Sequence, residues 1–261
     1  MRRGAALLSW AIVALVLAFV FAPVLLVVLF SFNSAPSSTL PIEGLTLDWY
    51  RKVFENPLYV EALQNSAVAA VLTALVSTVV GATAAVALAR HRSRALDALS
   101  AVLMMPLMLP GLFIGVALLS FTSRIHLDLS LLTVVIGHVI VTVPLVVLIV
   151  NARMMQLDWS VVEAARDLGA SSWTAFRRVI LPQVAPALVG AALLALAWSA
   201  DELIITLFTN GGDTTVPVLI LGLTRRGLDP SINAVASLIL LSTVVSSIVA
   251  ARFISPRDVV A

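Results

Sequence analysis

Long apolar stretches separated by short polar connections make up most of the chain. A helix needs about 20 consecutive apolar residues to cross the hydrocarbon core of a bilayer. Six stretches reach that length, at about 9–31, 62–89, 97–121, 130–151, 183–209 and 231–254. The first is too long for the core of a signal peptide, so we expect it to be a retained helix. The pattern predicts an all-α, multi-pass membrane protein with six transmembrane helices in a single domain, residues 1–261.

Composition agrees with this pattern and excludes several classes of protein. The chain is 61% hydrophobic and only 11% charged, far below the charge of a soluble domain. It has no cysteine, which excludes disulfides and thiolate metal sites. Its three histidines are scattered, without an HExxH motif, so no metal site is expected. Membrane lipid is the expected surrounding, and no nucleic-acid partner is expected.

Basic residues in the connections predict how the chain is threaded, because cytoplasmic loops carry an excess of Arg and Lys. With the N-terminus inside, the cytoplasmic side holds eleven of them: Arg2, Arg3, Arg90, Arg92, Arg94, Arg153, Arg166, Arg177, Arg178, Arg252 and Arg257. The other side holds five: Arg51, Lys52, Arg124, Arg225 and Arg226. Both termini and the long connection 153–182 are therefore expected in the cytoplasm.

The outer segment 32–61 begins as a Pro- and Ser-rich loop and continues as LTLDWYRKVFEN. Leu47, Tyr50, Val53 and Phe54 would share one face of a helix. A short helix lying at the membrane interface and a solvated loop with aromatic anchors both fit this pattern.

The connection 153–182 predicts a short helix, a sharp turn and a second helix. Asp158 or Ser160 is suited to cap the first helix, and Gly169 is suited to end it in the left-handed conformation. The second helix starts in SSWTAFRRVILP and runs past Pro182 into the fifth apolar stretch. An apolar face of the first helix opposes a charged one: Val161, Ala164, Ala165 and Leu168 against Glu163, Arg166 and Asp167. This composition alone also fits a connector resting on lipid headgroups.

The spacing within this connection is more specific than its composition. The motif reads Glu163-Ala164-Ala165, three residues, Gly169, nine residues, then Val179-Ile180-Leu181-Pro182. It resembles the EAA loop of permease subunits in binding-protein-dependent ABC importers of the bacterial plasma membrane, although that family usually has Ile where Val179 stands. The resemblance implies the type I ABC importer permease fold.

The resemblance also implies a mechanism and a set of partners. The loop would be a coupling helix that docks on a cytoplasmic ATPase, with Glu163 paired to a basic residue of the ATPase. The implied coupling residues are Glu163, Ala164, Ala165, Asp167, Gly169, Leu181 and Pro182. The implied partners are a second homologous permease, two ATPase subunits and an extracytoplasmic substrate-binding protein.

The chain itself is not expected to be an enzyme or to bind a cofactor. Its only lysine, Lys52, follows Arg51, so the sequence contains no G-x-x-x-x-G-K-[ST] phosphate loop. ATP and Mg are therefore expected on the separate ATPase. An intramembrane hydrolase is disfavoured because G-x-S-x-G, HExxH and a cysteine nucleophile are all missing.

Further segments resemble one branch of these permeases, the second permease of the spermidine/putrescine transporters. They are SFN at 31–33, LTLDWYRKVFENP at 45–57, NSAVAAV at 65–71, AAVALAR at 84–90 and DPSINAVASLIL at 229–240. The implied substrate is a polyamine or a related small cation. One departure is Gly111, which stands after Pro110 where that branch often carries an acidic residue; its loss implies a different cation or a charge supplied by the partner permease.

Two adjacent acids, Asp201 and Glu202, interrupt the fifth stretch. A carboxylate at the centre of a membrane helix costs about 2.5–3.5 kcal/mol, so these two are not expected to face lipid. Trp198 lies three and four residues before them, and an indole beside two carboxylates suits an ammonium cation. We therefore predict that Trp198, Asp201 and Glu202 line the substrate pathway. A salt bridge to a neighbouring subunit, or hydration near the interface, is the alternative.

Three further features carry weaker expectations. His138 in the fourth stretch either lines the pathway or, as we favour, hydrogen-bonds across helices. Gly111 and Gly115 form a GxxxG pattern that is typical of a close helix contact. The loop 209–217 is either a Gly-rich turn or a contact for the binding protein.

A stand-alone secondary transporter that uses Asp201 and Glu202 as a proton or cation site is the alternative function. It accounts for the acids but leaves the EAA loop unexplained. The sequence contains no other reader of substrate identity, because the binding protein mostly selects the substrate.

Overall fold

A computed structural model describes residues 2–36, 39–90, 93–225 and 229–253, which are almost entirely helical. The helices are α1 (Arg2–Ser31), α2 (Asp48–Glu55), α3 (Pro57–Arg90), α4 (Arg94–Met108), α5 (Gly111–Arg124), α6 (Leu131–Met154), α7 (Trp159–Asp167), α8 (Ser172–Ala175), α9 (Leu181–Asp201), α10 (Ile204–Thr209), α11 (Val216–Thr224) and α12 (Ser231–Phe253). A π-helical turn, Phe176–Ile180, joins α8 to α9. The chain divides into two units, Met1–Val60 with Leu219–Ser242, and Glu61–Val218 with Thr243–Ala261.

In the first unit, helix α2 folds against the loop that precedes it. The Trp49 Nε1–H donates to the Asn33 carbonyl at 2.7 Å, and Val53 is fully buried. Lys52 of α2 forms an ion pair of 2.8 Å with Asp229. Of the two alternatives for segment 32–61, the helix is therefore present, at Asp48–Glu55, and its position at the membrane interface stays a prediction.

In the second unit, α6 is the central helix and is buried along most of its length. Val146, Val147, Val150 and Met154 form its core together with small residues of α9, among them Ala191 and Ala195. Helix α3 approaches α6 closely at Gly81, where an added Cβ would lie 2.7 Å from the Cβ of Val146. Small residues at such contacts let membrane helices pack backbone to backbone, since van der Waals packing is what holds them together in lipid.

The third apolar stretch differs from the continuous helix expected over 97–121. It consists of α4 and α5, which meet at an angle of 104°. Leu109 between them is extended, with φ −90° and ψ 133°, and Pro110 follows it. The proline ring disfavours the helical region for the preceding residue, which is why the helix ends there.

The fifth apolar stretch, expected over 183–209, is also broken. Helix α9 ends at Asp201, Glu202 is extended with φ −71° and ψ 115°, and α10 restarts at Ile204. The two predicted pathway acids therefore lie at the break between two helices rather than inside one.

Four helical segments of the described residues are long and apolar enough to cross a membrane, and the bent pair α4–α5 would make a fifth. They are Ser9–Ser31, Pro57–Arg90, Leu131–Met154 and Ser172–Asp201. In α12 the described apolar part, Ser231–Ser246, is shorter than a full crossing. Six crossings and the orientation of the termini stay predictions.

Candidate functional site

The predicted helix–turn–helix in 153–182 forms, and its first helix begins at a side-chain cap. The Asp158 carboxylate accepts a hydrogen bond of 3.0 Å from the backbone N–H of Ser160, at the start of α7. Hydrogen bonds from the side chain and backbone of Ser160 lower the pKa of Asp158, because they stabilise its ionised form. Of the two residues suited to the cap, the structure selects Asp158.

Gly169 ends this helix in the left-handed conformation, with φ +88°, as the sequence predicts. The Gly169 N–H donates to the Arg166 carbonyl at 2.9 Å, and the Ala170 N–H donates to the Ala165 carbonyl at 3.0 Å. This pair of bonds is the Schellman motif, which satisfies the last carbonyls of a helix and reverses the chain. The turn fixes the direction in which α7 leaves the hairpin.

Gly169→Ala should loosen this hairpin. An L-residue in the left-handed region costs about 1–2 kcal/mol, although nothing lies within 4 Å to clash with the new methyl group. Amide hydrogen exchange across 159–175, measured on the protein in detergent, should speed up by roughly 5- to 30-fold. Gly212→Ala is the control, since Gly212 also has open space but no positive φ. Equal exchange in both variants would contradict the role of the turn.

Helix α7 turns its predicted apolar face outward. Leu168 is 90% exposed and Val161 is 47% exposed. Ala164 between them is exposed as well, while Ala165 is half-buried. None of the described residues covers this apolar patch of α7. An uncovered apolar patch is unusual for a solvated connector.

The opposite side of α7 packs on the rest of its unit, through Trp159 and Val162. Of the other predicted coupling residues, Glu163 and Asp167 are exposed on α7. Leu181 and Pro182 begin α9 on the far side of the π-helical turn. The structure thus separates them from Gly169 by α8 and the π turn.

At the break between α9 and α10, the two acids differ in environment. Asp201 is exposed, whereas Glu202 is half-buried. The Oε1 of Glu202 accepts a hydrogen bond of 2.6 Å from the backbone N–H of Ile205, in the first turn of α10. Sequence reasoning missed this structural role of Glu202, since it expected a continuous helix there.

His138 joins α6 to both sides of this break. Its Nδ1 lies 2.7 Å from the Ser199 hydroxyl on α9, and its Nε2 lies 2.8 Å from the Thr206 hydroxyl on α10. Thr206 in turn donates to the backbone carbonyl of Glu202 at 2.9 Å. The prediction that His138 hydrogen-bonds across helices is confirmed.

Trp198 contacts the same histidine. The two rings meet edge to face with centroids 5.8 Å apart, and Trp198 is packed beside Ile114, Val141 and Ile205. The indole predicted for the pathway is therefore held in place by α6 as well as by its own helix.

His138→Ala should destabilise this region. The substitution removes two buried hydrogen bonds and leaves a cavity, which together cost roughly 2–4 kcal/mol. The unfolding temperature in detergent should fall by roughly 5–10 °C, measured by tryptophan fluorescence. His126→Asn is the control, because His126 is exposed and Asn tolerates its positive φ of 55°. A fall in the control as large as in His138→Ala would refute the argument.

Gly111 and Gly115 bring α5 close to α10, which confirms the predicted close contact. An added Cβ at Gly115 would lie 3.0 Å from Phe208, and one at Gly111 would lie 3.6 Å from the Oε1 of Glu202. The position where the resembling branch often carries an acid is thus adjacent to the half-buried acid of this chain. Only the fold reveals this proximity, because 91 residues separate the two positions.

The loop 209–217 is a turn tied to neighbouring helices. The Leu131 N–H donates to Asp213 at 2.7 Å, and Asn65 donates to the Thr214 carbonyl at 3.1 Å. Gly211 provides the positive φ, of 59°. The interpretation as a Gly-rich turn is therefore confirmed, and contact with a binding protein stays a prediction.

A cavity beneath α7 is a feature that could not be predicted from the sequence. It has a volume of about 390 Å³ and includes Trp159, Glu163 and Arg166 in its lining. In the described part of the chain, no cluster of three or more acidic, histidine or cysteine side chains is suited to hold a metal ion.

Comparison with known proteins shows a matching protein family and similar permeases. Residues 77–257 match the family described as binding-protein-dependent transport system inner membrane component. The chain is 35% identical over 241 residues to the putrescine transport system permease protein PotI of Escherichia coli (strain K12), covering 88% of this chain and 85% of PotI. It is 31% identical over 226 residues to the spermidine/putrescine transport system permease protein PotC of Haemophilus influenzae (strain ATCC 51907), covering 86% and 88%.

Among solved structures, the chain is similar to a bacterial ABC transporter involved in the import of the acidic polysaccharide alginate. The TM-score is 0.73 over 97% of this chain and 94% of that one, with 14% identity. At this identity the likeness shows the fold alone.

Proposed function

The chain belongs to the family of inner membrane components of binding-protein-dependent transport systems, and on this basis we propose that it couples the import of a polyamine to a separate ATPase. It is a multi-pass permease subunit of an ABC importer in the bacterial plasma membrane. The proposal concerns what drives this subunit, which way it faces and what it carries.

The exposed apolar face of α7 is the observation that carries the proposed coupling. Val161, Ala164 and Leu168 face outward from a helix whose other side is packed. A capped helix with a fixed turn can transmit a displacement, since it does not bend where it is pushed. We therefore assign this face to the groove of a cytoplasmic ATPase. Glu163, on the cavity side of the same helix, is assigned to a basic residue of that ATPase.

The excess of arginine in the same connections supports the proposed orientation. With six crossings and both termini in the cytoplasm, α7 and the C-terminal end of α3 would lie on the cytoplasmic side, where ATP is available. On that side the ATPase would hold ATP and Mg, since this chain carries no phosphate loop.

A polyamine is the proposed substrate, because the two acids at the break suit an ammonium group. Asp201 is exposed and the carboxylate of Glu202 is only half-buried, so a cation can reach both. The named function of both relatives, putrescine or spermidine/putrescine transport, points to the same chemistry. A Cβ at Gly111 would lie 3.6 Å from the Glu202 Oε1, so an acidic side chain at this position would change the charge beside Glu202.

The proposed assembly contains this chain, a second homologous permease, two ATPase subunits and an extracytoplasmic binding protein. The family description, which names binding-protein dependence, supports the last of these. Alternating access would follow when closure of the ATPase pair moves α7 and the helices attached to it.

Reconstitution tests the proposal directly. The complete complex in liposomes should take up labelled putrescine only when ATP is inside with the ATPase and the loaded binding protein is outside. A proton gradient without ATP should give no uptake. Uptake by this chain alone on a proton gradient would overturn the proposal in favour of a secondary transporter that uses Asp201 and Glu202.

A further inference from the structure

Apart from Glu163, the residues that line the cavity beneath α7 have no role in the proposed transport mechanism. Its volume is about 390 Å³, and it lies between the C-terminal end of α3 and the hairpin formed by α7 and α8. Val86 and Ala89 of α3 form one wall, and Trp159 and Phe176 form another. The exposed apolar face of α7 points away from it, so the two surfaces are available to different partners.

Two arginines and one acid give this apolar cavity its charge. Arg90 and Arg166 line it together with Glu163. Within the described ranges, neither guanidinium lies within 4.0 Å of a carboxylate oxygen. The formal charge of the lining is therefore +1, and both arginines are able to bind an anion.

The location of the cavity indicates the source of that anion. Arg90 is the last residue of α3, a helix that is long and apolar enough to cross the membrane. The cavity therefore lies at one end of a helix that can cross the membrane. Basic pockets at the ends of membrane helices bind anionic headgroups, and a guanidinium matches phosphate oxygens in two parallel hydrogen bonds.

We propose that this cavity binds the headgroup of an anionic phospholipid with a single phosphodiester charge. Arg90 and Arg166 hold the phosphate, and the rings of Trp159 and Phe176 contact the glycerol and the first acyl carbons. A net charge of +1 matches a monoanion. A phosphate monoester with two charges meets Glu163 without a further cation to offset it.

Native mass spectrometry of the full chain in detergent tests this site, with phosphatidylglycerol as the probe. One phosphatidylglycerol should bind saturably and survive delipidation better than phosphatidylcholine. Arg90→Gln with Arg166→Gln should weaken binding about 25-fold, since each arginine near an anionic headgroup contributes about fivefold. Arg94→Gln with Arg178→Gln is the matched control, because it removes the same charge from exposed arginines outside the cavity.

A second variant separates the cavity from its charges. Ala89→Phe fills the space and keeps both arginines, so it should weaken phosphatidylglycerol binding as well. It also covers the case in which the double arginine variant fails to fold.

Three outcomes would overturn the proposal. Equal loss in the two double arginine variants would show general surface charge rather than a site. Equal binding of phosphatidylcholine would remove the anionic selectivity. Displacement of the lipid by millimolar glycerol phosphate or inorganic phosphate would assign the site to a soluble phosphate instead.

Discussion

Leu168→Asp should abolish ATP-driven uptake while the permease still folds. Leu168 is 90% exposed at the end of α7, so the carboxylate meets no buried neighbour in the free subunit. In the proposed docked state the same position lies in an apolar contact. Removing a central apolar contact of an interface and burying a charge there costs about 2–4 kcal/mol, or roughly 30- to 1000-fold in ATPase binding.

Two controls define that result. Leu168→Met keeps the apolar contact and should retain uptake near the wild-type rate. Met155→Asp puts the same charge on a side chain that is 69% exposed at the end of α6, outside α7, and should also transport. Co-purification of the ATPase with each variant gives the docking readout. Normal ATPase recovery with Leu168→Asp would show that α7 is not the docking element.

Asp201→Asn with Glu202→Gln should reduce polyamine uptake roughly 30- to 5000-fold, because loss of a charge partner costs about 2–5 kcal/mol. The variant keeps the fold, since a glutamine oxygen can still accept the hydrogen bond from the Ile205 N–H that begins α10. Assembly with the ATPase and basal ATP hydrolysis should be retained. The uptake of labelled putrescine by cells that lack other polyamine transporters is the measurement.

The control for this pair removes two other exposed acids. Asp97→Asn with Glu61→Gln changes the net charge equally, at positions on α4 and α3. It should leave uptake unchanged. Comparison with Glu202→Ala separates the two roles of Glu202. The alanine removes the hydrogen bond to the Ile205 N–H as well as the charge, so it should also lower the unfolding temperature. Unchanged uptake kinetics in the Asp201→Asn, Glu202→Gln variant would reject the pathway assignment.

The hairpin formed by α7 and α8 could be predicted almost entirely from the sequence, because its hydrogen bonds are local. Asp158 caps a helix whose first residues follow it. The N–H groups of Gly169 and Ala170 close the turn on carbonyls three and five residues earlier, respectively. Such motifs depend on residue type at fixed short spacing, so they can be identified without knowing the rest of the fold. The outward direction of the Val161–Leu168 face could not be predicted from the sequence, since either side of α7 is suited to packing.

The breaks in the third and fifth apolar stretches show where hydrophobicity alone does not determine local structure. Pro110 signals the first break locally, but its angle of 104° depends on how α4 and α5 pack. No proline lies between Asp201 and Ile204, so no helix-breaking residue in the sequence predicts the second break. His138 stabilises it from another helix, through hydroxyls on either side.

Residue type and short-range order alone determined that this chain is helical, lies in the membrane and forms a capped hairpin between its fourth and fifth apolar stretches. The length of an apolar stretch, a helix cap and a glycine turn each depend on residues close together in the chain, so they can be identified from the amino-acid sequence. Tertiary structure decided that Gly111 lies beside Glu202, that Arg90 shares a cavity with Arg166, and that Leu168 faces outward. These contacts join positions far apart along the chain, and only the packing of one helix on another sets their distance.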